Sequence, residues 1–172
     1  MSQVILQNKI QKDESTLSSL ISRTITSITI PNGITYIGDN AFYKCTSLTN
    51  VVIPSNIQRI GAWCFGRCSS LTNITIQNGV TYIDTGAFAE CSSLESITIP
   101  ESCAYIVGQV FEKCRLLASV TVQSVTPPTF WSNSFNDTSQ NLVIYVPAES
   151  VDTYKAASGW SDYAARIQAI PS

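Results

Sequence analysis

The side chains best equipped for chemistry are six cysteines. Thiols can ligate metal, attack as nucleophiles or pair as disulfides. Their spacing points elsewhere. Cys45, Cys68, Cys91 and Cys114 recur every 23 residues. A zinc site needs ligands converging in one loop, as in Cys-x₂-Cys, whereas one thiol per period makes a column. Cys64 takes a place held elsewhere by Ala41 and Ala87, and Cys103 a place held by Ile34, Ile57 and Val80. All six therefore read as small buried hydrophobes. A disulfide between neighbouring copies stays open, but the spacing does nothing to arrange its geometry.

The chain of 172 residues has no histidine, which excludes Ser-His-Asp and Cys-His pairs. Asp39 and Asp84 fall in adjacent columns two periods apart, too scattered for a carboxylate pair. Glu149 and Asp152 suit the N-terminus of a helix, where negative charge is favoured. The expectation is a protein with no catalytic residues, no metal and no cofactor.

Binding is the chemistry left. Twelve acidic and 10 basic residues give a net charge of −2, and only 13% of residues are charged, against roughly 25% in ordinary domains. So few cations make a poor ligand for phosphate backbones, and no nucleic-acid partner is expected. No apolar run approaches the ~20 residues of a membrane helix, so no membrane insertion is expected. The N-terminus, Met1-Ser2-Gln3-Val4-Ile5, lacks the basic-then-apolar order of a secretory signal. A route to the cell exterior would need a signal outside this sequence.

Two outward columns are candidates for contact. The first runs Thr29, Val52, Thr75, Thr98 and Thr121, with Tyr145 extending it. Threonine suits an exposed strand face in its own right, and such a face of hydroxyls can also meet a protein or glycan. The second column is Tyr36, Arg59, Tyr82 and Tyr105. Tyr and Arg are enriched at binding hot spots, but stacked tyrosines also cover the apolar edges of their neighbours. Trp63, at the position of Asn40 and Gly86, reads as surface-exposed. Trp131 and Trp160 read as packing for a terminal cap.

The elements that position these columns follow from the same period. Phe42, Phe65, Phe88 and Phe111 keep it, as do Leu48, Leu71, Leu94 and Leu117. Ile28, Val51, Ile74, Ile97 and Val120 keep it too. Within a unit, Leu71-Thr72-Asn73-Ile74-Thr75-Ile76 alternates, which indicates a short strand with one face buried. Pro31, Pro54 and Pro100 stop that strand. Ile-x-x-Ile then marks an inward turn or short second strand, and Ala41-Phe42 and its copies a compact helical or 3₁₀ turn. One unit cannot bury its apolar side alone, so the copies must stack.

Strand cores are expected near 26–30, 49–53, 72–76, 95–99, 118–122 and 142–146. The period slips near the end, where Phe135 follows Phe111 by 24 and Thr126-Pro127-Pro128 intervenes. The stretch from Pro147 to Ala157 reads as a helix that Gly159 stops. Tyr163, Ile167 and Ile170 are expected to face the core beyond it. The chain thus divides into an N-terminal arm with a possible helix over 13–22 (1–24), a solenoid of about six rungs (25–146) and a helical cap (147–172).

The unit Cys-x-Ser-Leu-Thr-x-Ile-Thr-Ile-Pro…Ile-x-x-Ile-Gly…Ala-Phe resembles the BspA-like leucine-rich repeats, over about residues 20–123. The tail from Leu142 to Ile170 resembles the cap that closes such arrays. The resemblance implies a repeat solenoid, mainly β, a right-handed curved stack with a short helical C-terminal cap. It also implies a secreted or surface-attached setting, adhesion to proteins or cells, and occurrence in phage proteins. The leading expectation is a non-enzymatic recognition module that binds protein or glycan through its outward side. The alternative is a structural virion protein, a fibre, tip or decoration protein, located in the virion. The N-terminal arm offers a route to docking or to a homo-oligomer.

Overall fold

The structure is a computed structural model, and it describes residues 4–5, 25–30, 34–131 and 133–172. Each copy of the unit makes one rung. The first strand of each rung is Ser27–Thr29 (β2), Asn50–Ile53 (β4), Asn73–Ile76 (β6), Ser96–Ile99 (β8), Ser119–Val122 (β10) and Val143–Val146 (β12). The second is a two-residue strand: Tyr36–Ile37 (β3), Arg59–Ile60 (β5), Tyr82–Ile83 (β7), Tyr105–Ile106 (β9) and Thr129–Phe130 (β11). Every pairing is parallel and in register, so Val51 lies beside Ile74 and Ile60 beside Ile83. The second strands form one five-stranded sheet in the order β11-β9-β7-β5-β3. The six first strands divide three and three between two sheets, each made four-stranded by one further strand near a chain end, and the sheets adjoin at β6 and β8 without a ladder between them.

Alternation decides what is buried. In β4, β6 and β8 the inward residues are buried and the intervening Asn, Ser, Thr or Val residues are exposed. Behind the strands, Phe42, Phe65, Phe88, Phe111 and Phe135 stack with ring centroids 5.2–5.9 Å apart and ring planes within 10°. These rings and the inward Ile, Val and Leu columns make one continuous core. Full burial stabilises each such side chain by about 1.5–3 kcal/mol relative to exposure.

The Ala41-Phe42 segment and its copies are hydrogen-bonded turns, not the expected helical turns. Asn40 and Lys44, with φ of 58° and 62°, bracket the first of them in the left-handed region. That conformation bends the chain out of any helix. It also aims backbone donors along the stack: the Phe42, Phe65 and Phe88 amides donate to Cys64, Ala87 and Val110 carbonyls at 2.8, 2.8 and 3.0 Å.

The C-terminal end closes on side-chain donors. Pro127 and Pro128 have no N–H and interrupt the ladder. Nearby carbonyls are satisfied by the cap instead. Ser150 Oγ donates to the Val125 carbonyl, Tyr154 Oη to Ser124 and Trp160 Nε1 to Pro128, each at 2.8 Å. The cap comprises a 3₁₀ turn at Ala148–Ser150, the helix Val151–Ala156 (α1) and a 3₁₀ segment at Ser161–Arg166. At Gly159, φ is 79° and an added Cβ would stand 2.3 Å from the Phe130 carbonyl oxygen, so only glycine fits the exit from α1. Ile167–Ala169 (β13) then adds a strand to β12, an element the residue pattern did not announce. Tyr163 and Ile167 pack as expected, but Ile170 is exposed, since the chain has left the core by then. Trp131 is also exposed rather than packed in the cap, because Phe130 takes the inward place and stacks on Trp160 at 4.2 Å.

The expected N-terminal helix over 13–22 lies outside the described residues. Upstream of it, Val4–Ile5 (β1) pairs in parallel with β2. Among the described residues no helix is long and apolar enough to cross a membrane.

Candidate functional site

The structure distinguishes two kinds of threonine among those that flank or form the strands. Thr49, Thr72 and Thr81 turn their hydroxyls onto carbonyls one rung back, at 3.0, 3.2 and 3.1 Å. These are structural bonds between rungs. Thr29, Thr75, Thr98 and Thr121 sit on the strand face, in register with Val52 and Tyr145. Their hydroxyls take part in no hydrogen bond among the described residues, and Thr29, Thr75 and Thr98 are exposed while Thr121 is half-buried. Except at the break between β6 and β8, the backbone beneath them is engaged in the parallel ladders. A partner meeting this face finds hydroxyls that have water to lose and no internal bond to break.

The Tyr/Arg column is built differently. Its register pairs Tyr36 with Arg59, Arg59 with Tyr82, and Tyr82 with Tyr105. The Arg59 guanidinium lies 5.6 Å from the Tyr36 ring centroid and 5.4 Å from that of Tyr82. It also forms an ion pair with Asp84, and that hydrogen bond raises the Arg59 pKa further. Tyr82 rests on Tyr105 with centroids 5.5 Å apart. Arg59 and Tyr105 therefore flank Tyr82 along the stack, and Tyr105, 45% exposed, is the most exposed of the three tyrosines. Beyond it Thr129 continues the register, and Tyr105 borders a shallow hollow of about 280 Å³ with Pro127 and Pro128.

Trp63 is half-buried rather than exposed. Its ring stands edge-on to Tyr43, with centroids 6.1 Å apart. The two columns and Trp63 are separate features, not one pocket.

The carboxylates are occupied by structure. Asp39 Oδ1 accepts the Ala62 amide at 2.9 Å, and Asp84 Oδ1 accepts the Thr85 amide at 2.7 Å besides holding Arg59. All six cysteines are buried. Burial pushes the Cys103 and Cys114 thiols up to about 12 and raises Cys91 well above its ordinary value. Cys68 is raised by its neighbour Cys45 and by burial. The same hydrogen bond that raises Cys68 lowers Cys45; the four raised thiols stay protonated, and protonated thiols are neither nucleophiles nor good metal ligands. Among the described residues no group of His, Cys, Asp and Glu is placed to hold a metal ion.

The cysteines have a function that periodicity alone did not reveal. The Phe42, Phe65 and Phe88 carbonyls each accept the amide of their own rung's cysteine and the S–H of the next. The Phe42 carbonyl takes the Cys45 amide at 3.1 Å and Cys68 Sγ at 3.2 Å. Cys91 and Cys114 repeat the bond to Phe65 and Phe88, at 3.2 and 3.1 Å. A small apolar side chain with one weak donor meets this need without the cost of burying a stronger polar group.

The parallel stack of short rungs defines a leucine-rich-repeat solenoid. A family model described as BspA type leucine rich repeat region matches residues 18–142 in six copies. The chain belongs to that family. No curated protein matches it. Among solved structures it is similar to a leucine rich repeat protein from T. pallidum, with 30% identity, TM-score 0.64, and coverage of 71% of this chain and 58% of the other. A leucine-rich repeat protein from Bacteroides ovatus matches at 26% identity and TM-score 0.66, over 86% of this chain and 37% of that one. A leucine rich cell surface protein from Faecalibacterium prausnitzii matches at 31% identity and TM-score 0.54, over 74% and 37%. The chain thus spans between about a third and three fifths of the length of these relatives.

Proposed function

We propose that this chain is a non-enzymatic recognition module that binds a protein through its strand face. The observation that carries the reading is the row of Thr29, Thr75, Thr98 and Thr121, whose hydroxyls take part in no hydrogen bond among the described residues and which stand on strands joined by parallel ladders on either side of the break between β6 and β8. The face is nearly flat in chemistry, with Val52, Tyr145 and Gln168 as its departures from threonine. A rigid, pre-formed surface loses little entropy on binding. The setting we propose is the cell surface, which the name of the F. prausnitzii relative supports. The alternative of a virion component draws no support from any feature of the fold.

The test is capture on an array of purified extracellular-matrix and cell-surface proteins. The triple variant Thr75→Lys, Thr98→Lys, Thr121→Lys places long charged side chains across the face without touching the core. Loss of capture with an unchanged far-ultraviolet spectrum supports the reading. Capture by the triple variant equal to the native chain overturns it.

A further inference from the structure

A second surface has the opposite character. Lys44, Arg67, Lys113 and Arg115 line an open groove of about 550 Å³ with one carboxylate, Glu90, and three hydroxyl side chains. Four of the 10 cations of a chain with net charge −2 are gathered here. Lys44, Arg67, Glu90 and Lys113 occupy one repeated position, each with φ between 60° and 62°. Their amides donate to carbonyls of the following rung at 2.7–2.8 Å, which sets the side chains one rung apart, about 4.8 Å. Glu90 is held by Arg67 at 3.1 Å, and Lys113 lies 3.5 Å from Glu112. Lys44 and Arg115 form no ion pair with a described residue, and both are exposed.

Aromatic side chains adjoin the groove. The Arg67 guanidinium lies 5.8 Å from the Tyr43 ring centroid, and Tyr43 meets Trp63 edge-on. Trp63 is the odd residue of another left-handed column, Asn40, Trp63, Gly86, Gln109 and Asn133. Asn and Gly tolerate that backbone, whereas a bulky ring at φ 53° is an outlier. One glycine of its own rung and one of the next make room for it. A Cβ on Gly86 would stand 2.7 Å from Trp63 Cε2, and one on Gly66 would stand 2.7 Å from Trp63 Cε3. A large ring kept at the surface in a strained conformation, on two glycines that accommodate it, points to a use.

We infer that the groove and the Tyr43–Trp63 platform bind an acidic glycan, a chain of sugars bearing sulfate or carboxylate. Lys44 and Arg67, one rung apart, and Lys113 and Arg115 further along the groove meet anionic groups spaced along an extended chain. The hydroxyl side chains match sugar hydroxyls, and the aromatic platform offers an apolar face to a sugar ring. A nucleic acid draws on more phosphate contacts than four cations supply, and an acidic peptide leaves the tryptophan without a role. The inference rests on the recognition reading but uses another surface, so the two fail separately.

The test is a fluorescence and calorimetric titration of the full chain with heparin octasaccharide, hyaluronan octasaccharide, neutral cellohexaose and polyglutamate. One or both acidic glycans are expected to bind, cellohexaose and polyglutamate much more weakly. Heparin alone assigns sulfate; both assign carboxylate. Trp63→Asn installs the residue native at Asn40 and Asn133, so the variant folds, and Lys44→Gln with Arg115→Gln leaves the core untouched. Each is expected to weaken glycan binding by about tenfold or more. The strand-face triple variant is expected to bind glycan as the native chain does. Absence of binding to both acidic glycans, undiminished binding by Trp63→Asn, or equal affinity for polyglutamate overturns the inference.

Discussion

Two outward columns run side by side along this solenoid, set one rung apart by the same parallel register, and they have met different fates. In the Tyr36–Arg59–Tyr82–Tyr105 column each side chain is spent on the next: Arg59 between two rings and on Asp84, Tyr82 between Arg59 and Tyr105. In the threonine column each side chain stands alone on its strand. Residue type would rank them the other way, because Tyr and Arg are the usual binding anchors. An anchor that already has its partner within the fold has less to offer outside it. What matters is whether a group is satisfied internally.

The largest way to break the comparison is to remove the frame that both columns share. Phe88→Ala opens the phenylalanine stack between Phe65 and Phe111. It is expected to cost about 3–5 kcal/mol in denaturant unfolding, with both columns losing register together.

Alkaline titration is the next. The Cys103 and Cys114 thiols are raised to about 12 in the fold, against roughly 8.5 in an unfolded chain. The folded state therefore keeps protons that the unfolded state has released. This stability is complete below about pH 8.5 and is lost as pH rises toward 12, at about 1.4 kcal/mol per pH unit for each thiol. Thermal melts from pH 8 to 11 should show the decline, and Cys103→Ala with Cys114→Ala should make it shallower, with the buried Cys91 and Cys68 thiols keeping the remainder.

The columns themselves separate at smaller scale. Arg59→Ala removes two cation–π contacts and an ion pair that is half in water, so a loss of about 1–2 kcal/mol is expected. The strand face should respond least. Thr75→Ala with Thr98→Ala is expected to change stability by less than about 1 kcal/mol while weakening protein capture. A large stability loss there would mean that the threonines are structural after all and would erase the distinction.

Much of the fold was legible because a repeat writes each inward position several times. One Ile at Ile74 says little, but the column Ile28, Val51, Ile74, Ile97 and Val120 leaves little choice of face. The unrepeated parts were less legible. β13 was hidden because Ile167-Gln168-Ala169 gains its strand from β12 rather than from its own pattern. The left-handed turns were hidden because Lys44 and Arg67 have no strong preference for that backbone; the stack imposes it. The candidate faces were legible as columns and not as chemistry. Nothing in Tyr-Arg-Tyr-Tyr says that Arg59 will be clasped by Asp84 from the following rung, and nothing in Thr75 distinguishes its hydroxyl from that of Thr72.

The in-register stack has a further consequence. The backbone bonds that repeat between rungs link equivalent positions, so in its frame a rung is interchangeable with a copy of itself. Excising 73–95 would join Thr72 to Ser96 and return the second-strand ladder, the Phe stack and the thiol-to-carbonyl bonds to the same partners by type. The molecule is in effect a ruler with a graduation of 23 residues. Duplication or deletion moves the reach of its faces by whole marks, about 4.8 Å at a time, without asking the core to be redesigned.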